Sequence, residues 1–582
     1  MEHHEPHPPR SAEYSERVSQ ARYEDTREVA GESVCAGSRP LGTEVTWRAA
    51  VILAVPAVVI TFAVLLPFLG KAFSIDDVTF LLQAQHVLKD PLHPTAFDMV
   101  FHGIPIRLSS KMVSGPVMAW LLVPSVLLGG AEWIAHLIQA TFLAVGAVAT
   151  AALGMRLGLD RTRAAIAALL VVVSPAVIAM ASTAMPDVNA MTFGVIGIER
   201  LVAWRQQRRW SAAFLAALFL AIAVLSRPHV LLVFGCGALL IISNEGWQLK
   251  PLKWLGDVGS AVAPLVMALV VLAAVNYATR DLTSGGDLAG ATLSERGVVS
   301  FWPNLANVPV QWALSFPLAV LWPLTGLRRF LWSRGTGVGF ALGALLAFNT
   351  NAQSSNWWMG LYVMLVSVGS AVLLDIMVDA WERKDKTQIA LGLWLLIAAS
   401  AAPYEHLPAK YLVPAAPAMA ILIARAAHLD KQHRFQVAFL SVAGICGLVL
   451  GVLIIRSDAA LGEIGREGGA QAGAQVSQGN RVWMDGAWGF QWYAMQAGAE
   501  PMTDTRAIPT AGDVVVVGLQ GRLANMLCPR KTLVSRRVFD EPGGRVLSVD
   551  SHAGFFSNNW GMLPWSWGHD ELGRIEVWRI DP

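Results

Sequence analysis

The sequence predicts an all-α polytopic membrane domain of about thirteen transmembrane helices, followed by a small α/β domain outside the membrane. Three observations predict it. Of the 582 residues, 54% are hydrophobic and 15% charged, against roughly 25% charged in soluble globular proteins. Uncharged runs recur that approach or exceed the roughly twenty residues a helix needs to cross hydrocarbon. After Arg456 the pattern changes to a Gly/Ala-rich stretch and then to short β-rich runs. The net charge of +2 gives no ground for a nucleic-acid partner. Cys35, Cys236, Cys446 and Cys528 are scattered, so they form neither a disulfide framework nor a metal spacing.

Residues 1–46 are polar and mixed in charge and contain no apolar core of a signal peptide, which predicts a disordered cytoplasmic tail. His3, His4 and His7 lack the partners a metal site needs, and a solvated tail is the simpler reading.

The membrane domain covers 47–455. Ala49 to Gly70 and Ala164 to Pro186 meet the spanning length outright. Further spans are expected at about 131–155, 188–204, 210–226, 228–243, 257–277, 309–326, 335–350, 357–378, 387–403, 411–427 and 435–455. One alternate set of short connections holds seventeen Lys and Arg, from Arg156 to Arg434. The opposite short connections hold only Arg227 and Lys410. By the positive-inside rule the first set is cytoplasmic, which places the N-terminus inside and the C-terminal domain outside. This parity requires that 117–130, short and carrying Pro124, lie at the interface without crossing.

The outer face then receives the first loop, 71–130, with Asp76 and Asp77; Asp187 in "STAMPDVNAM"; Arg227 and His229 in "LSRPHVLL"; and "PYEHLPAKY" with Tyr404, His406, Lys410 and Tyr411. Ionisable groups beside hydrocarbon are costly and mark sites by default. Each also has a plainer reading. Ser74 and Asp77 stand in the spacing of a capping box opening a helix over about 75–88, which half explains Asp77 but not Asp76. Asp187 after Pro186 could end a span, and Arg227 and Lys410 could snorkel. Together, three carboxylates and two cations on one face favour a site. They suit one chemistry: a carboxylate deprotonates an acceptor hydroxyl while cations hold a phosphate leaving group.

These residues carry a family likeness. The chain resembles, over about 47–582, the GT-C superfamily of polyprenyl-phosphate-sugar-dependent glycosyltransferases. Within it the likeness is to glycosyltransferase family 39 and its bacterial relatives, the protein O-mannosyltransferases and lipid A aminoarabinose transferases. "IDDVTFLLQAQHVL" looks like the first outer-loop acidic motif, "AMPDVNAM" like the second, "SRPHVLLVF" like the segment with a basic residue after a helix, and "AKYLVPAAPAMAIL" like the late basic-Tyr-Leu motif. The resemblance implies Asp76 as the catalytic acid of the first loop, with Asp77 beside it, and Asp187 as the second acidic residue. Arg227, Lys410 and Lys111 would hold the donor phosphate, and His229, Tyr404, His406 and Tyr411 would line the substrate. The departures are Asp-Asp for Asp-Glu, Arg227 for Lys, Lys410 for Arg, and Lys111 in "SSKMVSGP" instead of a Lys-Pro-Pro setting.

The expected activity is inverting transfer of a hexose or pentose from a polyprenyl-phosphate donor to a cell-envelope glycan, lipid or protein, in the plasma (bacterial inner) membrane. No cofactor is required; a divalent metal at Asp187 is left open. The rivals are a transporter or flippase and a ligase for lipid-linked glycans. The C-terminal domain, 456–582, starts with a Gly/Ala-rich linker. Strands are expected at "RVWM", "DVVVVGL", "TLVSRRV", "RVLSVD" and "RIEVWRI", with a helix near 489–499.

Overall fold

The computed structural model describes residues 46–110, 115–243, 251–279, 295–348, 357–427, 434–504, 508–541, 543–548 and 550–582. The tail expected at 1–46 and Lys111 therefore lie outside the described residues, apart from Thr46. Thr46 opens the first helix, Trp47–Leu65, where its side chain accepts the Ala49 N–H, as an N-cap residue does for one orphan amide.

The described chain is mostly helical. Among the described residues six helices are long and apolar enough to cross a membrane, or seven if the pair Ser300–Leu314 and Leu318–Leu324, bent by 62°, is one span. Five more apolar helices have 10–17 residues. Thirteen spans are expected from hydropathy; several of those runs are shorter than eighteen residues as helices, and several contain breaks that hydropathy does not register. Proline supplies most of them, since it lacks the N–H that would continue the ladder. The run 164–186 divides into Arg161–Val172 and Pro175–Met180. The run 228–243 begins as a 3-10 turn at Pro228–Leu231, and 411–427 begins as a 3-10 segment, Ala409–Ala415, containing Pro414. Each break lies beside a residue of the outer-face set, or leads to one.

The described residues of the first loop form two helices, two strands and the 3-10 turn Leu108–Ser110. Asp77–Val87 is a helix. Strands β1 (Asp98–Phe101) and β2 (Ile104–Arg107) form an antiparallel hairpin that the sequence reading does not include. Its turn is His102-Gly103, both at positive φ (51° and 80°), the backbone a two-residue hairpin turn requires. Val117–Leu127 is an eleven-residue helix, as short as expected for a segment that does not cross.

The C-terminal region departs most from expectation. The stretch read as a linker after Arg456 is helical, part of one 44-residue helix, Arg434–Ser477, that runs straight through the expected boundary. Its glycines serve close packing instead of flexibility: a Cβ on Gly465 would come within 2.7 Å of the Phe490 amide nitrogen. Glycine lowers helix propensity by roughly 1 kcal/mol, so this stretch is helical because tertiary contact outweighs propensity.

Strands β3 (Val482–Asp485), β4 (Glu500–Pro501), β5 (Val514–Val517), β6 (Lys531–Phe539) and β7 (Gly573–Ile580) form a sheet of order β4-β3-β5-β7-β6. The β3–β4 and β3–β5 pairs are parallel, and β5–β7 and β7–β6 antiparallel. The four valines of β5 are all buried, because Val514 and Val516 pack with Ile464 and Phe490 on one face, while Val515 and Val517 pack with Trp483 and Leu523 on the other. "RVLSVD" is not a strand: Arg545 and Leu547 make isolated bridges to Gly568 and Ser566.

Candidate active site

Asp76 stands at the N-cap position of Asp77–Val87, and its side chain makes no capping hydrogen bond. Instead it meets a cation remote in sequence: Lys410 Nζ lies 2.7 Å from Asp76 Oδ2. The lysine is buried, 3% exposed, whereas the Asp76 side chain retains 39% exposure, so the carboxylate remains accessible. Burial alone would raise the Asp76 carboxyl, but Lys410, with His406 and Arg227 farther out, holds it below the usual carboxylate value. Lys410 sits on the 3-10 segment Ala409–Ala415.

Asp187 begins the helix Asp187–Gln207 directly after Pro186, where its charge faces the positive end of the helix dipole. Its side chain is fully buried and accepts a two-pronged bond from Arg227, Nε to Oδ1 at 2.9 Å and a terminal nitrogen to Oδ2 at 2.8 Å. Arg227 is at the C-terminal end of Trp210–Ser226 and directly before Pro228, in an extended conformation. Its guanidinium also covers the Tyr411 ring, 5.3 Å from the centroid. His229 Nε2 lies 3.1 Å from the Tyr411 carbonyl oxygen, and the His229 and Tyr411 rings meet edge to face. Tyr404 and His406 complete an aromatic cluster with Tyr411, with centroids 5.3–6.3 Å apart.

Nine of the ten predicted site residues thus lie in the described structure, and eight form one connected set running Asp76, Lys410, Tyr411, Arg227, Asp187, with His229, Tyr404 and His406 against Tyr411. Lys111 lies outside the described residues. Asp77 is the exception to the cluster. It is fully buried and turns away from Asp76, accepting the Ser74 N–H at 3.0 Å and, from the second acidic loop, the Ala184 N–H at 2.8 Å. Half of the expected capping box is therefore present, the acid on the Ser74 amide, while the Ser74 hydroxyl goes elsewhere. Burial pushes the Asp77 carboxyl up to about 7, against Lys71 and the two amides. Among the described residues no three His, Cys, Asp or Glu side chains gather as a metal site would require.

The sequence reading misses the groups that hold this set in place. Lys71 and Asp458 form a buried ion pair beneath the first loop. Asn304 donates to the carbonyls of Ala402 and Tyr404, and Asn558 takes the Leu407 N–H while donating to Asn304, which pins the 402–407 loop. Ile75, next to Asp76, has φ +42°, rare for a β-branched residue. Only Asp458 carried a usable signal: a carboxylate just past an apolar run, opposite Lys71 just past another.

Residues 109–279 match the model of the family described as dolichyl-phosphate-mannose-protein mannosyltransferase. No curated protein sequence matches the chain. Among solved structures, the apo oligosaccharyltransferase of Archaeoglobus fulgidus is 13% identical with a TM-score of 0.42, over 79% of this chain and 65% of that one. The chain thus spans just under two thirds of that enzyme. ArnT from Cupriavidus metallidurans bound to undecaprenyl phosphate is also 13% identical with a TM-score of 0.42, over 91% of this chain and 97% of that one. The family match agrees with the resemblance read from the motifs: residues 109–279, which contain Asp187 and Arg227, are similar to the protein mannosyltransferases, a branch of the GT-C glycosyltransferases.

Proposed function

We propose that this protein is a membrane glycosyltransferase that moves a single sugar, with inversion, from a polyprenyl phosphate to an acceptor outside the cytoplasm. The observation that carries the reading is the pair of carboxylate–cation contacts, Asp76–Lys410 and Asp187–Arg227, joined through Tyr411. Of the two pairs, Asp76–Lys410 is the one an arriving anion can reach, through the exposed side of Asp76. A donor phosphate near Lys410 would compete with Asp76 for the ammonium, and Arg227, its fork held on Asp187, would add its positive charge beside the phosphate.

Chemistry follows from that exchange. Relieved of Lys410, Asp76 becomes a stronger base and takes the proton of the acceptor hydroxyl. The hydroxyl oxygen bonds to the anomeric carbon as the bond from that carbon to the phosphate oxygen breaks, and the departing lipid phosphate carries its negative charge to Lys410 and Arg227. Asp187 keeps Arg227 oriented, and Tyr404, His406 and Tyr411 form an aromatic wall suited to a sugar face. Asp77 takes a positioning role.

The deciding experiment incubates purified protein with radiolabelled polyprenyl-phosphate hexoses or pentoses and membranes, then identifies the labelled product. Label recovered on an envelope glycan, lipid or protein, and lost in Asp76→Asn by roughly two orders of magnitude or more, supports the reading. Label that changes leaflet without changing carrier would establish a flippase, and transfer of a whole lipid-linked glycan a ligase.

A further inference from the structure

We propose that the buried set Lys71–Ser74–Asp458 positions the Asp76 carboxylate, so that the long C-terminal helix acts in catalysis through the first loop. This rests on the reading of Asp76 as the base.

The geometry is continuous. Lys71 is 0% exposed in its side chain and Asp458 2%. Lys71 Nζ lies 2.5 Å from Asp458 Oδ2, and the Ser74 hydroxyl donates to Asp458 Oδ1 at 2.7 Å. Ser74 also gives its N–H to Asp77 Oδ2, and Asp77 Oδ1 takes the Ala184 N–H. Residues 74 and 77, on either side of Asp76, are therefore each anchored by a side chain, one to the C-terminal helix and one to the second acidic loop.

The backbone between them is also held. A Cβ on Gly462 of the same helix would come within 2.6 Å of the Ala72 carbonyl oxygen, and one on Gly489 within 1.9 Å of the Phe73 carbonyl oxygen. The Phe73 N–H is given to Tyr493 Oη at 2.9 Å. Ile75 at φ +42° occupies a conformation that persists only where its surroundings over-determine it, and these anchors do so.

A buried ion pair is weak evidence for stability, and its best-attested use is to fix a single arrangement. Here the arrangement fixed is the approach to Asp76, the first-loop acid that faces Lys410. A reacting group displaced by about 1 Å can lose about a hundredfold in rate, and Asp76 itself has no side-chain capping bond to hold it.

The test compares wild type, Asp458→Asn, Ser74→Ala, Asp76→Asn and the Asp76→Asn/Asp458→Asn double variant as full chains in lipid. Transfer turnover, donor KM and thermal unfolding are measured for each. The expected result is a turnover loss of about tenfold or more in Asp458→Asn and a smaller one in Ser74→Ala, with donor KM changed less than about threefold. In the Asp76→Asn background, Asp458→Asn should add no further loss. Losses that multiply across the double variant, or a Ser74→Ala and Asp458→Asn pair with lowered unfolding temperature and unchanged turnover, would overturn the proposal. If Asp458→Asn does not fold, Ser74→Ala decides, since it removes one hydroxyl and leaves the Lys71–Asp458 pair. Wild-type transfer by Asp76→Asn would instead refute the reading of the site itself.

Discussion

At the scale of single residues, the two carboxylate–cation pairs differ in burial and so in what their disruption should cost. Asp187 is fully buried and Arg227 nearly so. Removing one partner strands a desolvated charge, which costs about 3–5 kcal/mol. Asp187→Ala should therefore lower the unfolding temperature sharply in detergent, whereas Asp76→Ala, which leaves the buried Lys410 ammonium facing the opening where the carboxylate was 39% exposed, should lower it less while abolishing transfer. Arg227→Lys keeps the charge but loses the fork, and should retain more transfer than Arg227→Ala. Equal thermal effects from Asp187→Ala and Asp76→Ala would contradict this division of roles.

The burial of Asp77 gives its pH dependence a sign. Its carboxyl is moved from 3.8 to about 7 on folding, chiefly by burial. Between those values the folded state holds a proton that the unfolded state has released, so the Asp77 contribution is fully present below pH 3.8 and is lost as pH rises to about 7. Above that it is constant. Unfolding of the wild type in detergent should show this decline between pH 5 and 7 and none of it should remain in Asp77→Asn. An unchanged profile in the variant would assign the decline to another group. Asp77→Asn also replaces one acceptor oxygen by a donor, so it should lower transfer without eliminating it.

At the scale of elements, the helix Arg434–Ser477 joins the membrane-length apolar run to the C-terminal sheet. Its glycines are not equivalent. Gly465 faces the Phe490 amide at a separation no methyl tolerates, while a Cβ on Gly473 would meet only Ala497 Cβ at 3.4 Å. Gly465→Ala should destabilise by about 1–3 kcal/mol through overpacking. Gly473→Ala should be neutral or stabilise by up to about 1 kcal/mol, because alanine is the better helix former. Thermal unfolding of the two variants separates a packed helix from a flexible linker, since a linker would tolerate both. The hairpin β1–β2 makes the same point on a smaller scale. The Gly103 carbonyl accepts the Asp504 N–H, and the Val100 carbonyl accepts a bond from the Gln491 side-chain amide, so the first loop is held to the C-terminal domain by its hairpin as well as its base.

At the scale of the whole molecule, the charge asymmetry of the connections makes a prediction about sidedness. Seventeen Lys and Arg on one set of short connections against two on the other predict a chain with its N-terminus inside. A reporter active only outside the cytoplasm should be active when fused at the C-terminus and silent when inserted within residues 205–209. The opposite pattern would move the Asp76–Lys410 site to the cytoplasmic face and with it the class of acceptor.

Much of this protein is legible in its sequence because hydrophobicity and charge act locally. Apolar length identifies the helices Trp47–Leu65, Glu132–Arg156 and Trp357–Glu382. The alternation of basic loops predicts their orientation, and charges stranded at the ends of apolar runs single out Asp76, Asp187, Arg227 and Lys410. What only the tertiary structure decides is partnership. That Asp76 faces Lys410 across 334 residues, that Asp77 turns to the Ala184 amide, and that a glycine-rich stretch is a helix locked on Phe490 depend on surfaces brought together by folding. No local pattern encodes them, because a buried carboxylate or a missing side chain acquires its meaning only from the group that the rest of the chain places against it.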